Sequence, residues 1–436
     1  MREIKYYFLL IITKVISFLI KALKSSGGTS FAGFFALKLD KDFIKTSAKF
    51  IDKYIITVTG TNGKTTTSGI LAHILDENNK KVLSNTKGAN MISGIATTFA
   101  VNVNPFKKFD YAVLETDEAY LTKLYDSLNS NYLIVTNLFH DQLDRYGEIN
   151  FTAQKIQSAI DKNKDLKVLL NADDPLVVNL KPHKNKNAIY YGINKIEYVS
   201  GGYTVSKKEI LNCPKCGKEL EYSNIFYGHQ GHYSCSCGYC RPECKYNADI
   251  IVHSDYYSIK FYVEGKVHEF STSLVGLYNV YNAIGAIAMC FELGITDIQK
   301  ALDSYHPEFG RSEIREIFGK RAIIQLIKNP TGANEVLKTV DKTSSILIAI
   351  NDNYADGRDM SWLWDTDFEI LNGCTNPIVT SGIRAYDVAT RLKYAGIKDI
   401  KIIPNLEDAI KEVAKGDKIT ILPSYTVLLD INKNKY

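Results

Sequence analysis

The stretch YIITVTGTNGKTTTSGILAHIL, residues 54–75, joins a β-rich run to a helical run through a glycine turn. The run Tyr54 to Val58 predicts a buried strand, and the turn Gly60-Thr61-Asn62-Gly63 precedes a helix that begins at Lys64. Backbone N–H groups of such a turn and the positive end of the helix favour a bound phosphate. We expect Lys64 to reach the outer phosphates of ATP and the Thr65 hydroxyl to ligate Mg²⁺. An ordinary glycine turn is the alternative, but GKTT between a strand and a helix argues against it.

Length and composition describe a globular chain. It has 436 residues, of which 45% are hydrophobic and 23% charged, enough for two or three domains. The net charge of +5 comes from 53 basic and 48 acidic residues with no long basic block, so nucleic acid is not an expected partner. The longest uncharged run near the N-terminus, Tyr6 to Thr13, is shorter than the ~20 residues of a spanning helix. We expect an amphipathic helix there, packed on the protein or, as the less favoured alternative, in contact with a membrane surface.

Six of the eight cysteines lie between Cys213 and Cys244. In a chain of this length, such clustering indicates a metal site in a reducing cytoplasm rather than disulfides. Two close pairs separated by eighteen residues, with glycine and proline beside them, predict a structural Zn²⁺ ribbon at about residues 205–245. The expected ligands are Cys213, Cys216, Cys235 and Cys237. His229 and His232 are alternatives for one of these ligands. The roles of Cys240 and Cys244 are left open. Cys290 and Cys374 are expected to be ordinary buried or half-buried thiols.

The phosphate loop departs from the common spacing, since Val58 stands where its first glycine belongs. TGTNGKTT instead resembles the phosphate loop of the Mur ligase and folylpolyglutamate synthetase superfamily. FDYAVLETDE, residues 109–118, reads as a strand with Glu115 at its carboxyl end, where an open parallel sheet faces its ligand. An isolated glutamate there would be a surface residue, but the resemblance implies that Glu115 binds Mg²⁺.

Four further segments carry the resemblance in the same order as in the superfamily. The segment after the next strand is similar to a TN…DHxDRHG motif in which Gln142 replaces a histidine that helps to hold a second metal, so the presence of a second metal is left open. VLLNADDP matches an LNxDD turn, GLYNVYNAIGAIA matches GxHNxxNxxAA, and NP at 329–330 matches DxxHNPxS, where Gln325 and Lys328 replace the aspartate and the histidine. The matching residues of these segments are Asn137, Asp141, Asp144, Gly147, Asn171, Pro175, Gly276, Asn279, Asn282, Ala283, Ala286, Asn329 and Pro330.

The resemblance implies which residues bind the nucleotide. Asn282 would touch adenine, and Arg311, after Gly310, would contact phosphate. The expected nucleotide-binding residues are Gly60, Thr61, Asn62, Gly63, Lys64, Thr65, Thr66, Asn282 and Arg311.

The resemblance also implies the fold class, an α/β chain with a Mur ligase-like P-loop domain and a Rossmann-like C-terminal domain. The expected boundaries are 1–45 for an N-terminal amphipathic segment, 46–313 for the ATP-binding domain and 314–436 for the last domain. Short apolar runs alternate there with helical stretches such as NLEDAIKEVAKG, residues 405–416, which is typical of a parallel sheet with covering helices.

The stretch NDNYADGRDMSWLWD, residues 351–365, points to one branch of the superfamily. Only about 60 residues precede the phosphate loop, so we expect no UDP-binding domain. With the four-cysteine ribbon and Gln142, the chain resembles the MurT-type synthetase subunits of lipid II isoglutaminyl synthase over nearly its whole length. His140 departs from the pattern of that family, which has an arginine there.

This family resemblance implies amidation of the D-glutamate α-carboxylate of lipid II through an acyl phosphate. It further implies a heterodimer with a GatD-type glutamine amidotransferase that supplies ammonia, in the cytoplasm at the inner face of the membrane. Lys64 and Glu115 would act in catalysis, and Asp359 would complete the partner's Cys–His dyad. Trp362 and Trp364 are expected interface anchors, and Arg358 is expected to hold the loop; an acid-rich turn with one buried tryptophan is the alternative.

Two other functions fit parts of the sequence. An amino-acid-adding ligase of the Mur or folylpolyglutamate type shares the ATP site but leaves the ribbon and Asp359 without a role. A catalytically silent scaffold that binds a partner leaves the complete phosphate loop unexplained.

Overall fold

The computed structural model describes residues 2–22, 28–85, 89–139, 149–199, 212–306 and 311–434. The chain divides into two compact units. The first comprises Met1–Leu138, Asn150–Ser273 and Asn279–His306, and the second comprises Phe139–Ile149, Leu274–Tyr278 and Pro307–Tyr436. The finer division into three segments stays a prediction.

A nine-stranded sheet forms the centre of the first unit, in the order β11-β10-β9-β6-β5-β4-β1-β3-β2. The strands of the unit are β1 Ile51–Thr59, β2 Val82–Ser84, β3 Phe109–Glu115, β4 Tyr132–Val135, β5 Lys167–Asn171, β6 Ala188–Tyr198, β7 Glu221–Tyr227, β8 Gln230–Ser234, β9 Tyr246–Val252, β10 Tyr257–Val263 and β11 Lys266–Thr272. Across this sheet, neighbouring strands are parallel from β2 at one edge as far as β9, and β10 and β11 add an antiparallel hairpin at the other edge. Strands β7 and β8 form a separate hairpin inside the crossover between β6 and β9.

The register of the sheet brings the predicted site residues to one edge. Val58 of β1 lies beside Glu115 of β3 and Ile134 of β4. Since these strands are parallel, the turn after β1 and the segment after β4 emerge on the same side as Glu115.

Helices cover the sheet of the first unit. They are α1 Arg2–Ala22, α2 Gly28–Leu39, α3 Phe43–Ser47, α4 Lys64–Glu77, α5 Ile92–Asn102, α6 Glu118–Leu124, α7 Ile149–Ile160, α8 Pro175–Val178, α9 Leu277–Glu292 and α10 Gln299–Ser304. Short 3₁₀ helices occur at Ala48–Phe50 and Asn185–Asn187. Helices α1 and α2 pack against each other and against α5. Among the helices described, none is long and apolar enough to cross a membrane.

The second unit contains a six-stranded sheet in the order β12-β13-β17-β14-β15-β16. Its strands are β12 Arg311–Ile317, β13 Lys320–Gln325, β14 Ser345–Ala349, β15 Ile378–Ser381, β16 Ile400–Ile402 and β17 Lys418–Pro423. Its helices are α11 Pro330–Lys338, α12 Trp362–Asp365, α13 Ala385–Tyr394, α14 Leu406–Val413 and α15 Tyr425–Asn434, with a 3₁₀ helix at Phe368–Leu371. The five strands from β13 to β16 are parallel, as the Rossmann-like prediction requires, and β12 pairs with β13 antiparallel.

Both faces of the second sheet are buried. Ile346 and Ile348 of β14 pack into one core layer with Leu392 of α13. Leu347 and Ala349, which alternate with them, pack into the opposite layer with α14 and α15. A strand covered on both faces reads as a continuous apolar run, as SSILIAI, residues 344–350, does.

Candidate functional site

The turn after β1 has the backbone shape of a phosphate loop. Gly60 and Gly63 have φ angles of 128° and 84°, in the region that favours glycine. A Cβ on Gly60 would lie 2.2 Å from Thr136 Oγ1, and one on Gly63 would lie 2.0 Å from Asn282 Oδ1. Neither glycine can therefore be replaced without displacing a neighbouring side chain, and helix α4 begins at Lys64 as predicted.

Lys64 is held inside the site by an ion pair that the sequence analysis did not predict. Its Nζ lies 2.9 Å from Glu118 Oε1 and donates to the carbonyl oxygens of Gly60 and Thr61. Burial alone would lower the pKa of Lys64, but the carboxylates of Glu118 and Asp117 outweigh it and raise that pKa above its ordinary value. Lys64 is therefore a buried cation in the structure without a nucleotide, next to where a phosphate would bind.

Glu115 and Thr65 form the expected pair of oxygen ligands. Thr65 Oγ1 donates to Glu115 Oε2 at 2.7 Å, and Asn90 Nδ2 donates to Glu115 Oε1 at 3.2 Å. Asn85 fixes the backbone of Glu115 by bonding both its N–H and its carbonyl. Neighbouring ligands of an octahedral Mg²⁺ with bonds of about 2.1 Å lie ~3.0 Å apart, so the two oxygens fit one shared ion.

Helix α9 brings Asn282 against the phosphate loop. Thr67 Oγ1 donates to Asn282 Oδ1 at 3.3 Å, and Asn282 Nδ2 donates to Asn279 Oδ1 at 3.2 Å. Both asparagines are buried. A face of small residues that serves only helix packing would explain the alanines of this motif but not the two asparagines. Asn282 contacts the loop, and Asn279 is bonded to Asn282.

The segment after β4 holds the phosphate loop by accepting hydrogen bonds from its backbone. The Thr61 N–H donates to the Asn137 carbonyl, and the Asn62 N–H donates to Asn137 Oδ1, both at 2.9 Å. The next residue, Leu138, donates its N–H to Asp174 Oδ2 at 2.8 Å. The LNADDP turn therefore helps to position the loop through Asn137, which explains why this turn accompanies the loop in the sequence.

A second buried acid of this turn, Asp173, joins the ribbon to the sheet. Its carboxylate accepts from Arg241 Nε at 2.6 Å, from Tyr281 Oη at 2.8 Å and from the Ile193 N–H at 2.8 Å. Burial raises the pKa of Asp173, and the Arg241 charge opposes that rise. Arg241 lies near the C-terminal end of the ribbon and Tyr281 precedes Asn282, so one carboxylate links the ribbon, β6 and the helix that touches the phosphate loop.

The four predicted cysteines form one cluster of thiols. The sulfurs of Cys213, Cys216, Cys235 and Cys237 all lie within 4.8 Å of one another. Two pairs, Cys213–Cys237 and Cys216–Cys235, have Sγ–Sγ distances of 3.7 and 3.6 Å. Sulfurs about 2.3 Å from the centre of a tetrahedron lie ~3.8 Å apart, so the cluster fits a tetrahedral metal ion.

The other candidate ligands of the ribbon lie outside this cluster. His229 is fully buried with its Nε2 3.3 Å from Asp174 Oδ1, and the His232 ring bonds the Ile193 carbonyl. Cys240 is exposed, while Cys244 is buried and bonds the Pro242 carbonyl. Cys290 is buried and Cys374 half-buried, as predicted.

The acidic loop after β14 lies in the second unit and is ordered by Asp356. Its carboxylate accepts from the Thr426 N–H at 2.7 Å and from the Asn353 N–H at 3.2 Å. Asp359 is half-buried, and its Oδ1 accepts from the Ser361 N–H at 2.9 Å. The loop therefore presents Asp359 from a fixed backbone.

The two tryptophans have different environments, which corrects one prediction. Trp362 is only 6% exposed and belongs to the hydrophobic core of the second unit, so it cannot anchor an interface. Trp364 is 55% exposed and packs edge-to-face against Tyr394. One buried tryptophan was the alternative expectation, and a short helix, α12, explains why residues two apart face opposite ways.

Asn329 and Pro330 have a structural role in addition to their place in the motif. The Asn329 side chain caps α11 by accepting from the Gly332 N–H at 2.9 Å, and Pro330 occupies the first turn. Arg311 opens β12, and its side chain is outside the described part of the structure. The predicted residues that lie outside the described residues altogether are His140, Asp141, Gln142, Asp144, Gly147 and Gly310.

The fold and the site define a ligase of Mur type, and the comparisons agree. The model of the Mur ligase middle domain matches residues 58–225, and the model of the MurT ligase C-terminal domain matches residues 326–428. A solved structure of a pseudomurein peptide ligase type C from Methanothermus fervidus has the same fold, with a TM-score of 0.68 and 23% identity over 88% of this chain and 79% of that chain.

Two curated relatives are similar over nearly their whole length. The lipid II isoglutaminyl synthase (glutamine-hydrolyzing) subunit MurT of Streptococcus pneumoniae is 37% identical over 93% of this chain and 92% of its own. The subunit of the same name from Staphylococcus aureus is 35% identical over 94% of this chain and 93% of its own. The chain therefore belongs to the MurT family.

Proposed function

We propose that this chain is the synthetase subunit of a lipid II isoglutaminyl synthase, an ATP-dependent carbon–nitrogen ligase of peptidoglycan synthesis. The observation that carries the proposal is the 37% identity to a MurT subunit over 93% of the chain, together with Lys64, Thr65 and Glu115 at one edge of the sheet. The substrate would be the α-carboxylate of D-glutamate in the stem peptide of lipid II. We place the enzyme at the inner face of the cytoplasmic membrane, where that substrate is anchored.

In the first step, a carboxylate oxygen attacks the γ-phosphorus of ATP, and ADP leaves. Lys64 would neutralise charge on the outer phosphates. Thr65 and Glu115 would hold Mg²⁺, which would supply charge compensation for the phosphate oxygens. Asn282 and Arg311 would contact the nucleotide.

In the second step, ammonia attacks the carbonyl carbon of the acyl phosphate. Phosphate leaves, and the nitrogen loses one proton, which gives the D-isoglutamine amide. Ammonium is mostly protonated near neutral pH and is a poor nucleophile in that form. A source that delivers unprotonated ammonia therefore favours this step.

We propose that a GatD-type glutaminase subunit supplies the ammonia and forms a heterodimer with this chain. Among the described residues, Oδ2 of Asp359 accepts no hydrogen bond, so it is open to an imidazole N–H of the partner. A carboxylate in that position fixes the tautomer of a histidine and stabilises its protonated form. Trp364, Tyr394 and Tyr386 are exposed in the same unit and supply aromatic surface for a partner.

We propose Zn²⁺ as the ion of the four-cysteine cluster. Four thiolates close the coordination shell, so the ion supplies folding energy and leaves no open position for substrate. Cys213, Cys216, Cys235 and Cys237 would hold it.

The test is amidation of lipid II by the chain alone, with ATP and Mg²⁺ and with either ammonium chloride or glutamine. The proposal expects amide product with ammonium and none with glutamine until the glutaminase subunit is added. Product with an added amino acid, and none with ammonium, would assign the chain to the amino-acid-adding ligases instead. Absence of substrate-dependent ATP hydrolysis would favour the scaffold.

A further inference from the structure

Helix α1 exposes a broad apolar face. Five large apolar side chains recur on it at helical spacing and remain exposed, namely Phe8, Ile11, Val15, Phe18 and Leu19. Phe8, Ile11 and Phe18 are 64%, 62% and 71% exposed. A single exposed apolar residue needs no explanation, but a contiguous row of this kind marks an interaction surface.

The opposite face of α1 already packs on the protein. Tyr6, Leu9 and Leu10 are buried, and so are Thr13 and Ser17 further along the helix. At 100° per residue, the centres of the buried and exposed faces lie about 175° apart. The exposed row is therefore not an alternative core face, and α1 can offer only that row to another surface while it stays folded on the protein.

The neighbouring helix extends the apolar character of this region. Helix α2 packs against α1 and exposes Phe31, Phe34 and Leu39. Lys5 and Lys14 project from α1, and their ammonium groups bond the carbonyls of Leu39 and Val103. These two lysines therefore help to hold α1 on the protein.

The charge of the chain is concentrated in this segment. Residues 1–50 contain nine of the 53 basic residues and only three of the 48 acidic residues, a formal charge of +6. The remaining 386 residues carry a formal charge of −1. The whole positive excess of the chain therefore accompanies the exposed apolar face, a combination typical of helices that lie in the interface of an anionic bilayer.

We propose that the α1–α2 surface, defined by Phe8, Ile11, Val15, Phe18 and Leu19 of α1 with Phe31 and Phe34 of α2, docks on the surface of a bilayer that contains anionic phospholipid. The apolar side chains enter the boundary between headgroups and acyl chains, and the net positive charge of the segment attracts the anionic headgroups. The choice of a bilayer over a protein partner rests on this charge and on the lipid-linked substrate of the proposed function. Docking would hold the active site near that substrate.

The experiment measures sedimentation of the full chain with vesicles of phosphatidylcholine alone or mixed with phosphatidylglycerol, without ATP or lipid II. The test variant is Ile11→Gln/Phe18→Gln, because glutamine keeps helix propensity and the buried face of α1 is unchanged. The control is Val267→Gln/Ile314→Gln, two exposed apolar positions outside this surface. Circular dichroism would establish that both variants remain folded.

The proposal expects the natural chain and the control to bind the mixed vesicles, and the test variant to bind at least ~30-fold more weakly. Binding should fall about tenfold on phosphatidylcholine alone and should weaken at 0.5 M salt, since part of the attraction is screened. Equal binding of the natural chain and the test variant, or no vesicle binding, would overturn the proposal. Self-association that Ile11→Gln/Phe18→Gln abolishes, without vesicle binding, would assign the surface to a second copy. Since the assay contains no substrate, its failure would leave the proposed amidation untouched.

Discussion

At the scale of single residues, the proposed function makes Lys64 the cation on which phosphoryl transfer depends. Replacing it with alanine should reduce amidation at least ~1,000-fold with either ammonium or glutamine, because the phosphate charge is no longer neutralised. The measurement is the rate of amide formation with both nitrogen sources. Lys300→Ala, which removes an exposed lysine paired with Glu77, is the matched control and should keep nearly full activity. Activity of Lys64→Ala with ammonium near that of the natural chain would contradict this role.

Asp359 is the residue whose role depends on a partner. Asp359→Asn should reduce glutamine-driven amidation by about 10²–10⁴-fold, because an amide neither stabilises a protonated histidine nor fixes its tautomer in the same way. Ammonium-driven amidation should change less than about twofold, since phosphoryl transfer does not involve this residue. Asp365→Asn alters an exposed acid of the same segment and should affect neither rate. Unchanged glutamine-driven turnover in Asp359→Asn would rule out a triad across the interface.

At the scale of elements, the ribbon is held by its thiols. Cys213→Ser/Cys216→Ser should lose the bound zinc and lower the melting temperature, because metal binding contributes folding free energy. The amidation rate per folded molecule should not change, since a closed four-thiolate site takes no part in the chemistry. Metal content by mass spectrometry and thermal unfolding would test this, with Cys240→Ser, an exposed thiol outside the cluster, as control. A stable, zinc-free and fully active double variant would contradict the structural role.

The ion pair between Arg241 and Asp173 attaches the ribbon to the sheet. Arg241→Met should cost about 3–5 kcal/mol of local stability, because it leaves the Asp173 carboxylate buried without its cation. Asp173→Asn added to Arg241→Met should recover part of that loss. Both tryptophans lie in the second unit, so tryptophan fluorescence does not report on the first unit, which contains Arg241 and Asp173. Hydrogen exchange of the amides of β5 and β6 is therefore the appropriate measurement. Equal hydrogen-exchange protection in the single and double variants would show that Arg241→Met does not leave a destabilising unpaired charge on the buried Asp173.

Elements with strong local patterns were predictable from the sequence. The strand–turn–helix at Gly60 to Lys64 and the continuous apolar run of β14 each combine burial with a distinctive turn or length. Strand β12 was missed because the two isoleucines of RSEIREI, Ile314 and Ile317, are three residues apart, which is a helical rather than an alternating spacing. The hairpin of β10 and β11 was missed although Glu264 and Gly265, both with positive φ, separate two alternating runs, which is a hairpin signal.

Site residues that depend on distant parts of the chain were less predictable. Glu118 is three residues after Glu115, and the first turn of α6 is the only local reason to expect it near the same edge. The partnership of Asp173 with Arg241 joins residues 68 apart, which no spacing in the sequence reveals. Which of the two tryptophans is buried was not predictable either, since the burial of Trp362 follows from the core into which α12 packs.

At the scale of the whole molecule, the residues proposed for the chemistry and the residue proposed to meet the partner fall in different units. The phosphate loop, Glu115 and the four-cysteine cluster belong to the first unit, and Asp359 belongs to the second. Loss of phosphoryl transfer and loss of glutamine use should therefore be separable by mutation. The ammonium and glutamine assays distinguish the two.

The exposed aromatic residues of the second unit should contribute to binding of the glutaminase subunit. Trp364→Ala should weaken the heterodimer about 30-fold, because tryptophan side chains at interface centres often contribute ~2 kcal/mol or more. Trp364 packs on Tyr394 with ring centroids 5.4 Å apart, so the anchor is already ordered in the free chain and loses little entropy on binding. Titration calorimetry with the purified partner would measure the affinity, and Phe106→Ala, an exposed aromatic of the first unit, is the control. Ammonium-driven amidation by Trp364→Ala should stay intact while the glutamine-driven rate recovers at high partner concentration, because the defect is in association. An unchanged dissociation constant would place the partner on another surface and leave the open carboxylate oxygen of Asp359 without the role proposed for it.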